Sequence, residues 1–523
     1  MNESQRIATS YLNTILADFG AANSSAKSTV RFTHGFPPVS QTKGTDIHLS
    51  LIGAIPSAAN ALLAARMLEL RGGPAQEIEI DLRRSHNYID PDIGMTPCIW
   101  GQEIPVDALI GNPFLRNIFE TKDGRHVILS AVYIELVYKW TAFLRCSALE
   151  SDIRATVKQW DSKVLEAAAA EAGMPMAVVQ SEETWAANPH GQHMAKLPIV
   201  PIEKRTDAPP KPLSPSPSRP LEGLKVLCCT HAIAGPSSGR TLAEHGASVL
   251  QIMFTHGFEH ASVYAGANLG CASARLNFHK QEDREHLWTL IQDADVWVDS
   301  YREGAIAKFG FSDDAMFARN PSLIISHVRC YGTTGPWARK PGFDMQGSAS
   351  SGMLAHCGDG LANPQWPPEM VVNDYTTGYF GALRIQSALL QRAQYGGGYV
   401  VSPSLTGTAM AIMKHFKTTP TNMPANLTDD ALPPESVEGP SGWGYLKTLK
   451  PLPNMSKTPQ KYDPIFLAQI GSSPPVFPGD EDKWDKDKIQ PRKKACTKTD
   501  IEAPFLAKMS SLAELSMKYF IPN

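Results

Sequence analysis

The sequence lacks paired-cysteine motifs, although it contains cysteine. Its eight cysteines are scattered along the chain, and no C-x-x-C occurs. Cys228 and Cys229 are adjacent, but they lie within an apolar strand pattern. Buried, reduced thiols are therefore the expected state, as in an intracellular protein.

The sequence also lacks a strong net charge and a long hydrophobic run. A net charge of −3 gives no overall attraction to nucleic acid or to an anionic membrane, so an anionic ligand would need a local cluster of bases. No apolar run of signal-peptide length follows Met1, no uninterrupted apolar stretch of 18 residues occurs, and the last three residues match no targeting signal. We expect a cytoplasmic protein with no nucleic-acid partner and no membrane partner.

The length of 523 residues is enough for two or three domains. The segment 206–220 contains six prolines, which favours an extended linker over helix or sheet. This linker separates an N-terminal part, 1–205, from a main part that starts at Leu221. The C-terminal segment, 413–523, is expected to be irregular, because it is rich in proline from about 425 and strongly charged from Asp480 to Lys494.

Strand and helix patterns alternate beyond the linker. The strand patterns cover Lys225–Thr230, Ser248–Met253, Asp295–Val298 and Leu323–Val328, and the helix patterns cover Ser237–His245, Lys280–Asp293 and Glu303–Phe309. Alternation at this spacing predicts βαβ units and a parallel sheet covered on both faces. The predicted fold class is therefore α/β, with a doubly wound Rossmann-like sheet.

One helix–glycine–strand layout occurs twice in the chain. The first copy is Leu51–Leu70, Gly72-Gly73 and Glu77–Ile80, and the second is Tyr379–Gln391, Gly396–Gly398 and Tyr399–Val401. Asp374 precedes the second helix pattern. The equivalent position in the first copy is Ser50 or Leu51, depending on the anchor residue, and neither is acidic. A scaffold with an acid in only one copy suggests that Asp374 does chemistry.

The residues around Asp374 leave two interpretations open. Aspartate is a preferred helix N-cap, contributing about 1 kcal/mol, and most aspartates in such a position are caps. The same position suits a nucleophile, because a carboxylate at a helix N-terminus stays ionised and holds one orientation.

The turn 230–240 is a second candidate site, because it joins a predicted strand to a helix N-terminus, where free N–H groups favour an anion. It contains neither G-x-G-x-x-G nor G-K-[ST]. His231 in this turn is either a ligand contact or a core histidine, and the core interpretation is favoured. Arg302, Lys308 and Arg329 lie near the carboxyl ends of predicted strands, where open α/β sheets bind ligands. Solvated surface charge is the simpler account of each base alone.

As a set, these motifs resemble the class III CoA-transferases, the CaiB/BaiF family. The resemblance covers about 221–412 and depends on motifs in matching order: Leu221–Leu227, Ala234–Pro236, Leu242–Val249, Arg319–Ile324, Tyr331–Pro336, Lys340–Asp344 and Asn373-Asp374 with Gly378. The N-terminal part resembles the other end of the same module through Asn112-Pro113-Phe114 and the hairpin at Asp123-Gly124-Arg125. The resemblance implies a degenerate first half-module with a smaller α+β domain in 1–205. It also implies a CoA-binding Rossmann-like domain over 221–412.

The resemblance implies transfer of CoA between an acyl-CoA and a small carboxylic acid, through a covalent intermediate on Asp374 and without a metal. His231, Ala234, Lys308 and Arg329 match CoA-contacting positions of the family, whereas Arg302 matches no such position. One chain would supply what the family builds from two interlocked subunits. It would act either as a monomer with an internal pseudo-dimer or as a homodimer.

The chain departs from the family pattern at several positions. Met253-Phe254 stand where an acidic residue is usual, Cys271-Ala272 replace a basic pair, and Ser300 replaces an asparagine. Some relatives are α-methylacyl-CoA racemases, and Phe343 occupies the position of their histidine. A phenyl ring cannot carry a proton, so transfer is favoured over racemisation. A non-catalytic CoA-binding or interaction protein is the remaining alternative, supported by the missing basic pair and the degenerate first copy.

Overall fold

The computed structural model describes residues 1–21, 26–40, 46–106, 111–115, 117–254, 257–368, 371–424, 426–427 and 429–484. The chain forms two compact units, 1–479 and 480–523. In the second unit the described residues are 480–484, with a 3₁₀ turn at Glu481–Lys483. The rest of the charged run that we expect to be solvated lies outside the described residues.

The N-terminal part is built around a long buried helix. Its elements are α1 Glu3–Asp18, β1 Thr29–Thr33, α2 Leu49–Leu70, β2 Glu77–Asp81, α3 Pro91–Gly94, β3 Cys98–Ile99 and β4 Gln102–Glu103. β1 and β2 are parallel neighbours. By length and composition α2 could cross a membrane, but 89% of its most apolar window is buried inside the fold. A helix that is apolar on every side is typical of a protein core, and α2 occupies that position here.

A small α+β domain follows. Its elements are β5 Phe119–Glu120, β6 His126–Leu129, α4 Ile134–Leu144, α5 Glu150–Val157, α6 Ser162–Glu171, β7 Met176–Val178, α7 Glu182–Ala187 and α8 Pro189–Met194. β5 and β6 are antiparallel across the predicted turn, where Gly124 takes a φ of +72°, a conformation that glycine adopts without strain. The core of this domain surrounds the buried ring of Trp140.

A seven-stranded sheet forms the centre of the main part. Its strands are β8 Ile202–Lys204, β9 Lys225–Cys229, β10 Ser248–Phe254, β11 Ala272–Leu276, β12 Val296–Asp299, β13 Ile324–His327 and β14 Tyr399–Val401. The order is β11-β10-β9-β12-β13-β14-β8, and every neighbouring pair is parallel except β14 with β8. The six parallel strands follow the doubly wound Rossmann order, so the predicted fold class is confirmed.

Helices cover both faces of this sheet. They are α9 Ala234–Glu244, α10 Ala261–Ala267, α11 Gln281–Asp293, α12 Asp313–Arg319, α13 Asp344–Ser350, α14 Met353–Cys357, α15 Asp374–Tyr395 and α16 Leu405–His415. Val226 and Cys228 of β9 share one core with α9 and α15, whereas Leu227 and Cys229 share the other core with α11. Alternating burial on two apolar faces explains why the strands have nearly continuous apolar sequences.

The order of the sheet creates a crevice between β9 and β12. From these two adjacent strands the chain continues to opposite sides of the sheet, so the loops after them separate at their carboxyl ends. Open α/β sheets bind ligands at such a topological switch point. The loops concerned begin at Thr230 and Ser300.

The two copies of the helix–glycine–strand layout pack against each other. α2 and α15 each contain 22 residues. The Nδ2 group of Asn60 in α2 donates to the backbone carbonyl of Tyr379 in α15 over 2.9 Å, and Gln386 of α15 donates to Oδ1 of Asn60 over 2.8 Å. α2 begins at Leu49, so no acid stands at its start.

The proline-rich linker is held at both ends of its path. Arg71, at the end of α2, donates over 2.7 Å to each of three backbone carbonyls, those of Ser214, Pro220 and Glu222. The backbone N–H of Gly397, after α15, donates to the carbonyl of Ala208 over 2.7 Å. The linker thus contacts the ends of both repeat helices.

The C-terminal segment contains strands where an irregular chain was expected. β15 Ser436–Ser441 and β16 Gly444–Leu449 form a hairpin, and β17 Asn454–Met455 pairs with β2. β16 also pairs with β3, more than 300 residues earlier in the chain. The strands depend on pairing partners distant in sequence, which a local pattern does not reveal.

Candidate functional site

A cavity of about 480 Å³ opens at the switch point. Five sequence-predicted residues line it: His231 after β9, Ala234 at the start of α9, Arg302 after β12, Arg329 after β13, and Asp374 at the start of α15. The small domain of the N-terminal part also contributes to the lining, through Tyr133, Glu135, Leu136 and Lys139. One chain therefore supplies both walls of the cavity.

Asp374 is the first residue of α15, but it is not the cap of that helix. The Asn373 side chain makes no capping hydrogen bond. The buried carboxylate of Asp344 takes that role, because its Oδ2 accepts hydrogen bonds from the backbone N–H groups of Asn373 and Asp374 over 2.7 and 2.8 Å. The Asp374 carboxylate has no hydrogen-bond partner within the described part of the chain and is partly exposed to the cavity. The capping interpretation of Asp374 therefore fails.

The electrostatic surroundings of Asp374 differ from our expectation of a readily ionised carboxylate. Burial, together with the carboxylates of Asp344 and Glu259, raises the pKa of Asp374 well above its ordinary value. The helix N-terminus alone would favour the anion. Two buried acids close by reverse that effect, because like charges disfavour ionisation.

Asp344 is the most heavily bonded acid of the site. Its Oδ1 accepts from the Asn373 side-chain amide over 3.0 Å and from the Ser348 hydroxyl over 3.3 Å. Burial raises the pKa of Asp344 to about 6, against the lowering effect of these bonds. Asp344 thus fixes the start of α15 and the backbone that presents Asp374.

Side chains from other loops hold the backbone of the turn after β9. The N–H of His231 donates to Oγ of Ser300 over 3.0 Å, and the N–H of Ala232 donates to the Glu259 carboxylate over 2.6 Å. Ala232 has a φ of +61°, a left-handed conformation that a non-glycine residue adopts only when its surroundings impose it. Glu259 also accepts from the Tyr133 hydroxyl, over 3.1 Å.

His231 is both packed and on the cavity surface. Its Nδ1 lies 3.1 Å from the Tyr133 hydroxyl, and its ring centroid is 4.7 Å from that of Tyr301. Burial lowers the pKa of His231 to about 4, so the ring is neutral at neutral pH. The core and ligand-contact interpretations therefore describe two sides of the same ring.

Arg329 is fixed by a buried network. Its Nη2 donates to Oδ2 of Asp299 over 2.7 Å, and Asp299 also faces His327 at 3.3 Å. His327 lies between Asp299 and Asp313, whose hydrogen bonds raise its pKa to about 9. Arg329 therefore lines the cavity with a fixed side chain whose positive charge is partly balanced by Asp299.

The two other candidate bases differ in placement. Arg302 lines the cavity, is exposed, and lowers the pKa of His231 by its charge. Lys308 lies on the 3₁₀ turn Ala307–Phe309, exposed and 5.0 Å above the Phe309 ring, and it does not line the described cavity. The turn after β12 points Lys308 to solvent, which its position in the sequence does not show.

The departures from the family pattern have structural roles. Ser300 bonds the backbone of His231, Phe254 stacks edge-on with Tyr301 at 4.8 Å between centroids, and Cys271 is buried. The positions where the family has charged groups are therefore occupied here by packing residues. Among the described residues, no group of three or more His, Cys, Asp or Glu side chains could hold a metal ion.

Sequence reasoning assigned no role to Tyr133, Glu259 and Asp344. Asp344 ends one of the motifs, Lys340–Asp344, so the sequence signalled it. Tyr133 directly precedes α4 of the small domain and lies 98 positions before His231, with which it is in contact. No motif in the surrounding sequence indicates a site.

Comparison with known proteins supports the same assignment for part of the chain. Residues 221–434 match the family model described as CoA-transferase family III. An acetyl-coenzyme A transferase, nodX, from Hypoxylon pulicicidum is 37% identical over 242 residues, covering 44% of this chain and 41% of that protein. The alpha subunit of a succinyl-CoA–L-malate CoA-transferase from Chloroflexus aurantiacus is 30% identical over 207 residues, covering 37% of this chain and 48% of that protein.

A solved structure of a CAIB/BAIF family protein from Brucella suis is also similar, at 28% identity over 37% of this chain and 55% of that chain, with a TM-score of 0.35. The chain spans about half the length of the curated relatives that it matches. The stretch that matches the model of CoA-transferase family III, residues 221–434, includes Asp374, His231 and Arg329.

Proposed function

We propose that this protein transfers CoA from an acyl-CoA to a free carboxylic acid, with Asp374 as the nucleophile. The observation that carries the proposal is the Asp374 carboxylate at the cavity wall, which has no hydrogen-bond partner among the residues that the structure describes and whose backbone N–H is held by Asp344. An acid that is free of hydrogen bonds and partly desolvated is a stronger nucleophile, once ionised, than a solvated one.

The charges of the cavity suit one orientation of an acyl-CoA. Arg302 and Arg329 act electrostatically on His231, whereas the charged groups that act on Asp374 are acids. The bases would hold the phosphates of CoA, with Lys139 and Arg339 on the same lining, although the exposed Glu135 and Glu303 lie there too. The thioester would then lie toward Asp374.

The reaction proceeds in balanced steps. The Asp374 carboxylate attacks the thioester carbonyl, forming a mixed anhydride and releasing CoA thiolate. The thiolate attacks the aspartyl carbonyl, releasing the donor acid and leaving an aspartyl-CoA thioester. The acceptor carboxylate attacks that thioester, and the thiolate then attacks the acceptor carbonyl of the new anhydride, which regenerates Asp374 and forms the new acyl-CoA. Once Asp374 is ionised, every attacking group in these steps is an anion, so the steps themselves require no external base.

The test uses acetyl-, butyryl- and succinyl-CoA as donors and isotopically labelled acetate as acceptor. We expect labelled acetyl-CoA from at least one donor, and a hydroxamate on Asp374 after hydroxylamine trapping and peptide mass spectrometry. Asp374→Asn should reduce exchange by at least a thousandfold. The control Asp359→Asn changes an exposed acid away from the cavity lining and should have wild-type activity.

Three outcomes would count against the proposal. Full turnover by Asp374→Asn would show that Asp374 is not the nucleophile. Binding of every acyl-CoA without exchange or a trapped adduct would instead identify a CoA-binding protein. Deuterium incorporation at the α-carbon of a 2-methylacyl-CoA would indicate racemisation, which the Phe343 ring on the cavity lining disfavours.

A further inference from the structure

The cavity that Asp374 lines is also lined by a series of aromatic rings. The Phe343 ring lies 6.3 Å from the Tyr133 ring, and the Tyr133 ring lies 5.8 Å from the His231 ring, measured between centroids. Tyr301 continues the series 4.7 Å beyond His231. His231 is neutral at neutral pH because burial lowers its pKa to about 4. The rings therefore form an uncharged surface across the lining.

Phe343 is held next to the reactive group by the backbone. It directly precedes Asp344, whose carboxylate accepts the N–H of Asp374 over 2.8 Å. The N–H of Phe343 itself donates to the Gln346 side chain over 2.9 Å, and its ring packs between the core of the small domain and a neighbouring apolar cluster. Phe343 thus has a fixed position, and it lines the same cavity as Asp374.

The basic residues that line the cavity are either paired with other residues or exposed to solvent. Arg329 is bonded to Asp299, and Lys340 is paired with Glu166 and lies 4.1 Å above the Trp337 ring. The remaining bases of the lining, Lys139, Arg302 and Arg339, are exposed to solvent. The charged groups that act on Asp374 are the buried acids Asp344 and Glu259. A second carboxylate on the acyl group would therefore meet like charge and aromatic surface.

We propose that the acyl group transferred by this protein is apolar and monocarboxylic, and that Phe343 is a specificity-determining residue contacting its chain. This inference depends on the proposed CoA-transferase function. Short dicarboxylic acyl groups such as succinyl are disfavoured, because burying a charge without a partner is costly. An apolar chain gains from covering aromatic surface.

The experiment compares butyryl-CoA with succinyl-CoA as donors to labelled acetate, using the full chain. We expect kcat/KM for butyryl-CoA to exceed that for succinyl-CoA by at least tenfold. Phe343→Arg places a cation beside the acyl group and should shift the ratio toward succinyl-CoA by at least tenfold. Leu149→Arg, an exposed residue of the small domain outside the cavity lining, is the matched control and should leave the ratio unchanged.

The outcomes separate this inference from the function on which it depends. If neither these two donors nor acetyl-CoA is used, the transferase proposal fails. If succinyl-CoA is used as well as or better than butyryl-CoA, transfer stands and the substrate class is wrong. If Phe343→Arg folds, by circular dichroism, and leaves the ratio unchanged, Phe343 does not set specificity. If that variant does not fold, Phe343→Leu replaces it and should retain the preference for butyryl-CoA, and loss of that preference would overturn the inference.

Discussion

Replacing Asp344 with asparagine should make the stability of this protein less sensitive to pH. Asp344 is 1% exposed, and burial raises its pKa from an ordinary 3.8 to about 6. Its ionised form is therefore less favourable in the folded chain than in the unfolded chain. An asparagine at this position has no proton to lose, so this source of pH dependence disappears.

The size of the effect follows from the pKa. The difference between 3.8 and about 6 corresponds to about 3 kcal/mol. Because the folded-state pKa is raised, the favourable contribution is complete below the unfolded value and is lost as pH rises through the folded value. Linkage gives a loss of about 2 kcal/mol between pH 4.5 and 7.5. The substitution should also lower the pKa of Asp374, because it removes a neighbouring negative charge.

Asparagine can occupy this site and keep the bonds that fix the start of α15. Its carbonyl oxygen can accept the N–H groups of Asn373 and Asp374, as Oδ2 of Asp344 does. Its amide then faces the Asn373 side chain and the Ser348 hydroxyl. A flipped Asn373 amide can accept the new donor, but its amino group then occupies the buried position where Oδ1 has no partner among the described residues. That cost is the same at both pH values and does not change the pH dependence. Asp344→Ala would lose all four bonds and should be several kcal/mol less stable.

The assay is urea unfolding of wild type and Asp344→Asn at pH 4.5 and 7.5. Subtracting the two proteins at each pH removes the contribution of every titrating group whose pKa the substitution leaves unchanged. We expect the variant to gain about 2 kcal/mol relative to wild type between the two pH values. Asp359→Asn, at an exposed acid, should show no such gain. A difference that stays constant within about 0.5 kcal/mol, or that changes in the opposite direction, would refute the assignment of Asp344 as a buried, reluctantly ionised acid.

Two further predictions concern packing near the site. Gly378→Ala places a Cβ 2.6 Å from the Cβ of Ser237, so α15 must move away from α9. We expect the free energy of unfolding in urea to fall by about 1–3 kcal/mol and kcat/KM to fall as well. Unchanged values would contradict the close packing of the two helices. Tyr462→Phe removes a hydroxyl that accepts a hydrogen bond from the buried Arg240 over 3.2 Å. The free energy of unfolding in the same assay should fall by about 1–3 kcal/mol. The control Tyr445→Phe changes a half-exposed tyrosine and should lower it by less than about 0.5 kcal/mol.

The sheet could be predicted from the sequence because its signals are local. The strand pattern Tyr399–Val401 became β14 with the same bounds, and Lys225–Thr230 became β9 one residue shorter. Buried parallel strands are apolar along their whole length, so each is visible without knowledge of its neighbours. The short strand β11 was missed, because its sequence Ala-Ser-Ala-Arg-Leu has few strongly apolar residues.

The site could be predicted only in part, because its electrostatics come from residues distant in sequence. Asp374 was found from the repeat, but its raised pKa depends on Asp344, 30 positions earlier, and on Glu259. Lys308 was included by its nearness to the end of a strand, yet the side chain points to solvent. The direction of a side chain in a loop depends on turn geometry, which neither periodicity nor composition reports.

The contact between Tyr133 and His231 joins the small domain of the first half to the sheet of the second, and both lie on one polypeptide. Dilution cannot pull these two walls apart, as it could in an enzyme whose pocket is shared between separate subunits. The peptide that connects them keeps each in the other's vicinity at any protein concentration. A solution of single molecules would therefore retain both sides of the pocket.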